Sequence, residues 1–495
     1  MNSHKIGMGL QVLGIIGIAI SLLADFLPNG TPGIQSAQIL GIEISIILFV
    51  AGFWLRLTDP MEELSPGKSL RDLVDRILNL SSFVWVLIGF LIVYLLFFIS
   101  PLFLNDTLRM RYFLNYLPDR YPIGNDLIAV IDLMKGWFFD GQSPYTIQFY
   151  PPFTYMFFAP LLLLDNYPVL YSLFTLFNLI CYFFLTLLLP MKMIQKQSIP
   201  TLVLIFVTGL LSYGLQFELE RGQYNVFTFL LCLWAIYIFH YHKKYRLIAY
   251  LLFSISIQLK LYPAIFIVMF VDDWKDWRKN LTRFLGLGIF NLLLLFVMGY
   301  QSFLDFIHSV STQLSRPGWE WNGNHSIKAF VEALKRDGLN LLAPESVEMI
   351  RQNSELYSNL LLVIFLITFV VALIISALRK EAGIDMYLLL TCTVGALIIP
   401  ISNDYTLSIL SAPVALLLCS LPVMKDKGRQ WLSIALTLGI SIAYFSTLIP
   451  FKYKPYFLSN TFPLLFVSLI LLTILNLVQF QDSKTNTLRQ QPHEA

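Results

Sequence analysis

A bundle of membrane-crossing α-helices is the fold class this sequence predicts, on three observations. Of its 495 residues, 57% are hydrophobic and 13% charged, where a soluble globular protein carries about 25% charged residues. Apolar stretches near the ~17–25 residues that cross a bilayer recur along almost the whole chain. Lysine and arginine gather in the short segments between those stretches, as the positive-inside rule expects of cytoplasmic loops. The net charge of +3 is too small to argue for a nucleic-acid partner, so charge bears on topology alone.

In chain order the apolar runs are 7–24, 36–56, 82–104, 168–190, 199–217, 223–239, 281–299, 357–378, 385–400, 405–422, 431–449 and 461–480. They predict an all-α polytopic bundle of about 12 transmembrane helices. The first run has the look of a signal peptide, but no small-residue cleavage site follows it. Asp25-Phe-Leu-Pro-Asn leads straight to the next run, so it reads as a retained helix. Two further pieces are short or broken: PPFTYMFFAPLLLL (151–164), and 247–271, interrupted by LKLYP.

The basic clusters at 55–76, 191–197, 240–246, 272–280, 379–381 and 424–429 can all lie on the cytoplasmic side on two conditions. Residues 151–164 must not cross, and 247–271 must enter and leave from one side. Residues 105–167, 218–225, 300–356, 400–405 and 450–457 then face outward. The resulting division is a two-helix extension and cytoplasmic linker (1–80), then a catalytic membrane module (81–299) that includes the first external loop. An external loop (300–356), C-terminal helices (357–480) and a cytoplasmic tail (481–495) follow. The outward segments hold the polar residues that are out of place in so apolar a chain: Asp126, Arg221, Gln223, His325, Asn403 and Asp404. Irregular backbone at membrane depth is tolerated where it lines a cavity or lies within protein, so one polar cavity opening on the external side is expected.

Within 247–271 stands Lys260, just before Leu261-Tyr262-Pro263. An intramembrane lysine costs a few kcal/mol near the midplane. A proline-kinked helix whose lysine snorkels to the headgroups would explain it; so would a lysine that anchors a phosphate at the broken point, with Arg221 as a second cation. Asp126 and Asp132, six residues apart, point to different faces of one helix and make a poor acid/base pair. Gly141-Gln-Ser-Pro-Tyr is turn chemistry, and Tyr150-Pro-Pro-Phe is a stiff return to the membrane. Cys181, Cys232, Cys392 and Cys419 lie inside apolar runs with no CxxC spacing and read as small hydrophobes. No metal site is expected, because HExxH, paired CxxC and an outward D-x-D are all missing, and Asp272-Asp273 falls on the cytoplasmic side. Walker and G-x-G-x-x-G motifs are missing too, which argues against a nucleotide-sugar donor.

Five short patterns follow one another from about Asp126 to Leu418. They are an aspartate soon after a span with G-x-x-P-Y and Y-P-P-F behind it, ERGQYNVFTFLL (220–231), QLKLYPAIF (258–266), NGNHSIKAFVEAL (322–334) and PISNDYTLSILSAPVALLL (400–418). In this order they resemble glycosyltransferase family 87, membrane mannosyltransferases of the C-type glycosyltransferase fold. The sequence departs from the family at 1–80, and at Asn403, Asp404 and Tyr405, where a histidine pair is common. The resemblance implies a polyprenyl-phosphate sugar as donor and a lipid-linked or glycan acceptor. Transfer of a hexose, mannose by the family's expectation, would be inverting, at the outer face of a bacterial plasma membrane and without a cofactor.

With a phosphate leaving group, one carboxylate suffices, unlike the carboxylate pair of glycoside hydrolases. Asp126 is the candidate general base. Lys260, Arg221 and His325 are the candidates for the donor phosphate. Gln223, Asn225, Asn324, Ser326, Asn403, Asp404, Tyr150 and Tyr262 are candidates for sugar and acceptor contacts. Two other classes fit the same composition: a transporter or flippase of lipid-linked substrates, and a polysaccharide polymerase or ligase. Two inverted repeats around a midplane site would mark the transporter. Asp126, Lys260 and Arg221 around one outward cavity would mark the transferase.

Overall fold

The computed structural model describes residues 3–23, 124–145, 150–164, 166–193, 199–210, 212–315, 324–338, 342–379, 383–399, 402–420, 427–445 and 461–489, with positions 45, 48, 84, 85, 87 and 88. The chain forms two compact units, Met1–Asn79 and Leu80–Ala495. In the first, α1 (Ser3–Leu23) carries the leading apolar run as a helix. A side chain at Gly17 would collide with Ser45, so the glycine allows that close approach. Apart from the isolated positions, the predicted spans 36–56 and 82–104 lie outside the described residues.

In the second unit the described elements are helical, with one isolated antiparallel bridge between Asn324 and Asn403. Helix α2 (Asn125–Asp140) buries Leu127, Val130, Ile131 and Met134, the i, i+3, i+4, i+7 stripe of an amphipathic helix. Asp126 and the exposed Asp132 lie off that stripe. Tyr155, Phe158, Phe174 and Tyr224 pack against it, and removing each such large apolar side chain from water stabilises by about 1.5–3 kcal/mol. Helix α3 (Pro152–Phe158) passes into a 3₁₀ turn, Ala159–Leu163. Its Thr154 Oγ1 donates to the Gln258 carbonyl at 2.7 Å.

Helix α4 (Tyr167–Phe183) widens into a π turn at Phe184–Leu188 before ending at Met193. Pro190 has no N–H to offer the Thr186 carbonyl, which accounts for the local change of pitch. Helices α5 (Ile199–Leu210) and α6 (Tyr213–Arg221) follow. Then come α7 (Asn225–Tyr241) and α8 (Arg246–Leu259), a helical hairpin.

Helix α8 stops because Lys260 is extended (φ −146°, ψ 140°) and Pro263 cannot continue the ladder. The chain then returns as a 3₁₀ helix, Tyr262–Met269. At ~2.0 Å per residue it climbs about 16 Å, where the same eight residues of α-helix would climb only ~12 Å. The return brings Met269, whose carbonyl is 2.8 Å from His240 Nε2, back to the end where α8 began. Asp272 pairs there with Arg246 and Arg283. Residues 247–271 therefore enter and leave from one end, with Lys260 at the far tip.

Helix α9 (Trp277–Leu294) runs parallel to α8, joined to it by Arg283 Nε donating to Tyr250 OH (2.9 Å) and Gln258 Nε2 donating to Asn291 Oδ1 (3.2 Å). The remaining elements are α10 (Tyr300–Ser315), α11 (Ile327–Asp337), α12 (Pro344–Gln352), α13 (Ser354–Arg379) and α14 (Met386–Ile398). A 3₁₀ stretch, Asp404–Leu410, leads to α15 (Ser411–Ser420), α16 (Lys427–Phe445) and α17 (Phe462–Arg489). The main core joins Phe229, Phe253, Phe266, Leu390, Leu416 and Leu469, each from a different one of these segments.

Among the described residues three helices are long and apolar enough to cross a membrane: Tyr167–Met193, Ser354–Arg379 and Phe462–Gln481. The pair Ile199–Leu210 and Gly214–Arg221, bent by 49°, would be a fourth. The described residues do not confirm the expected dozen. Several of the predicted spans are shorter helices of 10–17 residues, such as Asn225–Tyr241 and Met386–Ile398, because breaks at caps and prolines divide the apolar runs.

Candidate functional site

The segment FELERGQYN (217–225) builds the centre of the site. Helix α6 ends at Gly222, whose φ of 67° suits glycine. Its N–H donates to the Leu219 carbonyl at 3.0 Å, and that of Gln223 donates to Glu218 at 2.9 Å. A Cβ at Gly222 would sit 2.7 Å from the Leu127 Cβ, so the glycine also admits α2. The Gly124 N–H donates to the Glu220 carbonyl at 2.7 Å. These contacts set the first turn of α2, bearing Asp126, against the end of α6, bearing Arg221.

Asp126 accepts a hydrogen bond from Gln223 Nε2 at 2.5 Å and lies 3.8 Å from Arg221 Nη1. Both charged side chains are 22% exposed, so water reaches them. The Gln223 amide is used at both ends. Its Nε2 also donates to Tyr150 OH at 3.0 Å, and its Oε1 accepts from Lys260 Nζ at 2.7 Å. An amide has one donor end and one acceptor end, and here it places the donor on a carboxylate and the acceptor on an ammonium. The Lys260 ammonium also lies 4.4 Å from the ring centroid of Tyr150 and 4.6 Å from that of Tyr224, a cation–π arrangement. The candidate base and both candidate cations are thus held in one group.

Behind it is Glu218, completely buried. Its Oε1 accepts from the Val226 N–H at 2.7 Å, capping the start of α7, and it is also bonded by Ser408 Oγ. A carboxylate suits the positive end of a helix dipole, and this one fastens α6, α7 and the 404–410 stretch behind the Gln223 turn. Tyr262 OH donates to the Asn225 carbonyl at 3.2 Å, joining the 3₁₀ helix after Lys260 to the start of α7.

A second cluster comes from the 324–326 and 402–404 segments. The His325 N–H donates to the Ser402 carbonyl at 2.8 Å, and Asn324 Oδ1 accepts from the Ser326 N–H at 3.0 Å. Ser326 in turn caps α11 through Ala329. The His325 ring is fully buried, with Nε2 2.6 Å from Asp404 Oδ1 and Nδ1 2.8 Å from Thr461 Oγ1. Both ring nitrogens are engaged. The imidazole thus lies where two loops and the start of α17 meet. Asp404 is likewise occupied by His325. Asn403 behaves differently, since its Nδ2 donates to Tyr405 OH at 2.7 Å, and Tyr405 lies within the electrostatic reach of Asp126 and Arg221.

Asp126, Arg221, Gln223, Lys260 and Tyr150 thus come together, with Asn403 joined to them through Tyr405. Glu218, Tyr224 and Thr461 were not singled out from sequence, and Tyr405 only as a departure from the family pattern. A glutamate at the very end of the apolar run, just before Leu-Glu-Arg-Gly-Gln, was a signal that could have pointed to Glu218. Among the described residues no group of three or more His, Cys, Asp or Glu is placed to hold a metal ion.

The sequence model of glycosyltransferase family 87 matches residues 149–400, about half of the chain. The match takes in Tyr150, Arg221, Gln223, Lys260 and His325, and leaves Asp126, Asn403 and Asp404 outside. No curated protein and no solved structure matches the chain.

Proposed function

Since the chain belongs to glycosyltransferase family 87, whose activity is glycosyl transfer in membranes, we propose that it moves a hexose, mannose in the first instance, from a polyprenyl-phosphate donor to a lipid-linked or glycan acceptor. The acceptor hydroxyl oxygen attacks the anomeric carbon and the bond from that carbon to the phosphate oxygen breaks. The electron pair leaves with the phosphate, the hydroxyl proton passes to Asp126, and a single displacement inverts the configuration. Lys260 and Arg221 meet the departing phosphate as preorganised charge, and Arg221 can offer it two parallel N–H donors. Gln223 and Tyr150 orient the two partners. Asn403, through Tyr405, bounds the acceptor side, while His325 and Asp404 hold the loops that frame it. The site faces the side opposite the basic loops, the outer face of a bacterial plasma membrane.

The observation that carries this reading is the Gln223 bridge, 2.5 Å from a carboxylate and 2.7 Å from an ammonium. A base and a phosphate-binding cation are held one amide apart, which in-line transfer from a phosphate donor needs. The test is Asp126→Asn in purified protein supplied with polyprenyl-phosphate hexoses. Loss of a general base lowers kcat by about 10²–10⁴-fold, with donor binding kept. Wild-type turnover in that variant removes Asp126 from the mechanism, and no turnover of any such donor by the wild-type protein removes the donor class.

A further inference from the structure

At the end of the bundle far from Lys260, the parallel helices α8 and α9 leave an apolar groove of about 800 Å³ between them. Its walls are Leu247 and Leu251 on α8 and Leu287 and Phe290 on α9, with Gly286 opening it. Leu247 is 81% exposed and Leu251 50%, and nothing lies within 4 Å of the position a Gly286 side chain would take. Arg278, Thr282, Gly286 and Phe290 recur every four residues along the groove. Lining it from Arg278 to Phe290 runs about 18 Å along the axis, close to the ~15 Å depth of one leaflet. Beyond it, Asn291 closes the space by bonding Ser254 and Gln258.

The mouth of the groove is basic. Arg283 spends its guanidinium on Tyr250, Phe270, Asn280 and Asp272. Lys279 pairs with Asp276 at 2.7 Å. Arg278 lies over the Trp277 ring at 5.4 Å, and its guanidinium has no hydrogen-bond or ion-pair partner among the described residues. An apolar channel one leaflet deep, with an uncommitted guanidinium at its polar mouth, is complementary in length and charge to one kind of molecule. We propose that the α8–α9 groove is a binding site for an anionic phospholipid of the leaflet at the basic end, its acyl chain along Leu251 and Phe290 and its phosphate on Arg278 and Lys279. Basic pockets between membrane helices bind anionic headgroups in this way, and guanidinium offers phosphate a bidentate contact. The site is separate from the transferase chemistry and does not depend on it.

The test is native mass spectrometry of the full chain in detergent, titrated with phosphatidylglycerol, with phosphatidylcholine and with inorganic phosphate. One phosphatidylglycerol should stay bound at least about tenfold more tightly than phosphatidylcholine, an electrostatic preference of the size basic residues give near a membrane surface. Arg278→Ala should erase that preference. Gly286→Trp, which fills open space, should weaken both lipids. Equal retention of the two lipids, displacement by inorganic phosphate, or unchanged binding in both variants overturns the proposal. Both positions are exposed, and a thermal scan of each variant separates lost binding from lost fold.

Discussion

The two ends of the helical unit hold their charges in opposite ways. At the basic end Asp272 receives Arg246 and Arg283 directly, and its carboxylate is partly open to solvent, at 38% exposed. At the other end Asp126 and Lys260 do not touch. Gln223 stands between them, aromatic faces flank the ammonium, and Arg221 stays 3.8 Å from the carboxylate. Direct pairing consumes charge; an amide spacer keeps it available to a third party. A cavity of about 540 Å³ does open beside His240, Trp274 and Lys275 at the basic end. What sets the Asp126 end apart is therefore a carboxylate and an ammonium kept near each other without being spent, and not the size of an opening.

The strongest way to break this comparison is to remove one charge from each end. Lys260→Met should cost about 10²–10³-fold in transfer rate, the magnitude of losing one preorganised group at a developing anion. Asp272→Asn should change the rate less than about fivefold, since an exposed pair contributes ~0–1 kcal/mol. Equal effects in an assay with saturating donor would show that the two ends do not differ as described.

Gln223→Leu isolates the spacer. It leaves Asp126 without an amide donor and Lys260 without its acceptor, at about 1–3 kcal/mol for each such group. The expected loss in kcat/KM is about 10–100-fold. A variant that keeps wild-type kcat/KM would make the bridge an accident of packing.

How much of this was legible in sequence depended on how local the cause was. Gln223 stood out because it is polar in so apolar a chain and belongs to the short ERGQYN pattern. Lys260 stood out because a lysine is costly among leucines, and the break after it follows from Pro263. The single-ended path of 247–271 was legible from the basic clusters on either side of it. The His325–Asp404–Thr461 group was not legible, since its members come from three distant segments, two of them joined by the Asn324–Asn403 bridge. Residue type suggested a phosphate contact for His325; its burial beside Asp404 and Thr461 could not be read from residue type. Among the described residues, the length of the spans was not legible for a similar reason. Apolar composition reports what can be buried, whereas helix length is cut by caps and prolines, as at Ser212 and Lys260.

The backbone offers a matched pair of substitutions. Gly222 and Gly383 both have positive φ, 67° and 112°. Alanine at either should destabilise by about 1–3 kcal/mol, read as a lower Tm. Only at Gly222 would the new Cβ press on Leu127 and shift Asp126, so only Gly222→Ala should also lower kcat when measured well below its Tm. Displacements near 1 Å can cost ~10²-fold in rate. Activity that falls equally in Gly383→Ala would mean the site senses strain at the far end.

The smallest effect is expected from Arg246→Ala. This arginine is 26% exposed and shares Asp272 with Arg283, so its removal leaves the carboxylate still paired. Its guanidinium also lies over the Phe239 ring at 4.6 Å, but Arg283 covers the same ring at 4.8 Å. One cation substitutes for the other in both contacts, and the loss should stay below about 1 kcal/mol in thermal stability. Arg283→Ala is the informative partner, because it also frees Tyr250, the Phe270 carbonyl and Asn280. If Arg246→Ala proves the more damaging of the two, redundancy at the basic end is wrong, and with it the reason for treating that end as charge already spent.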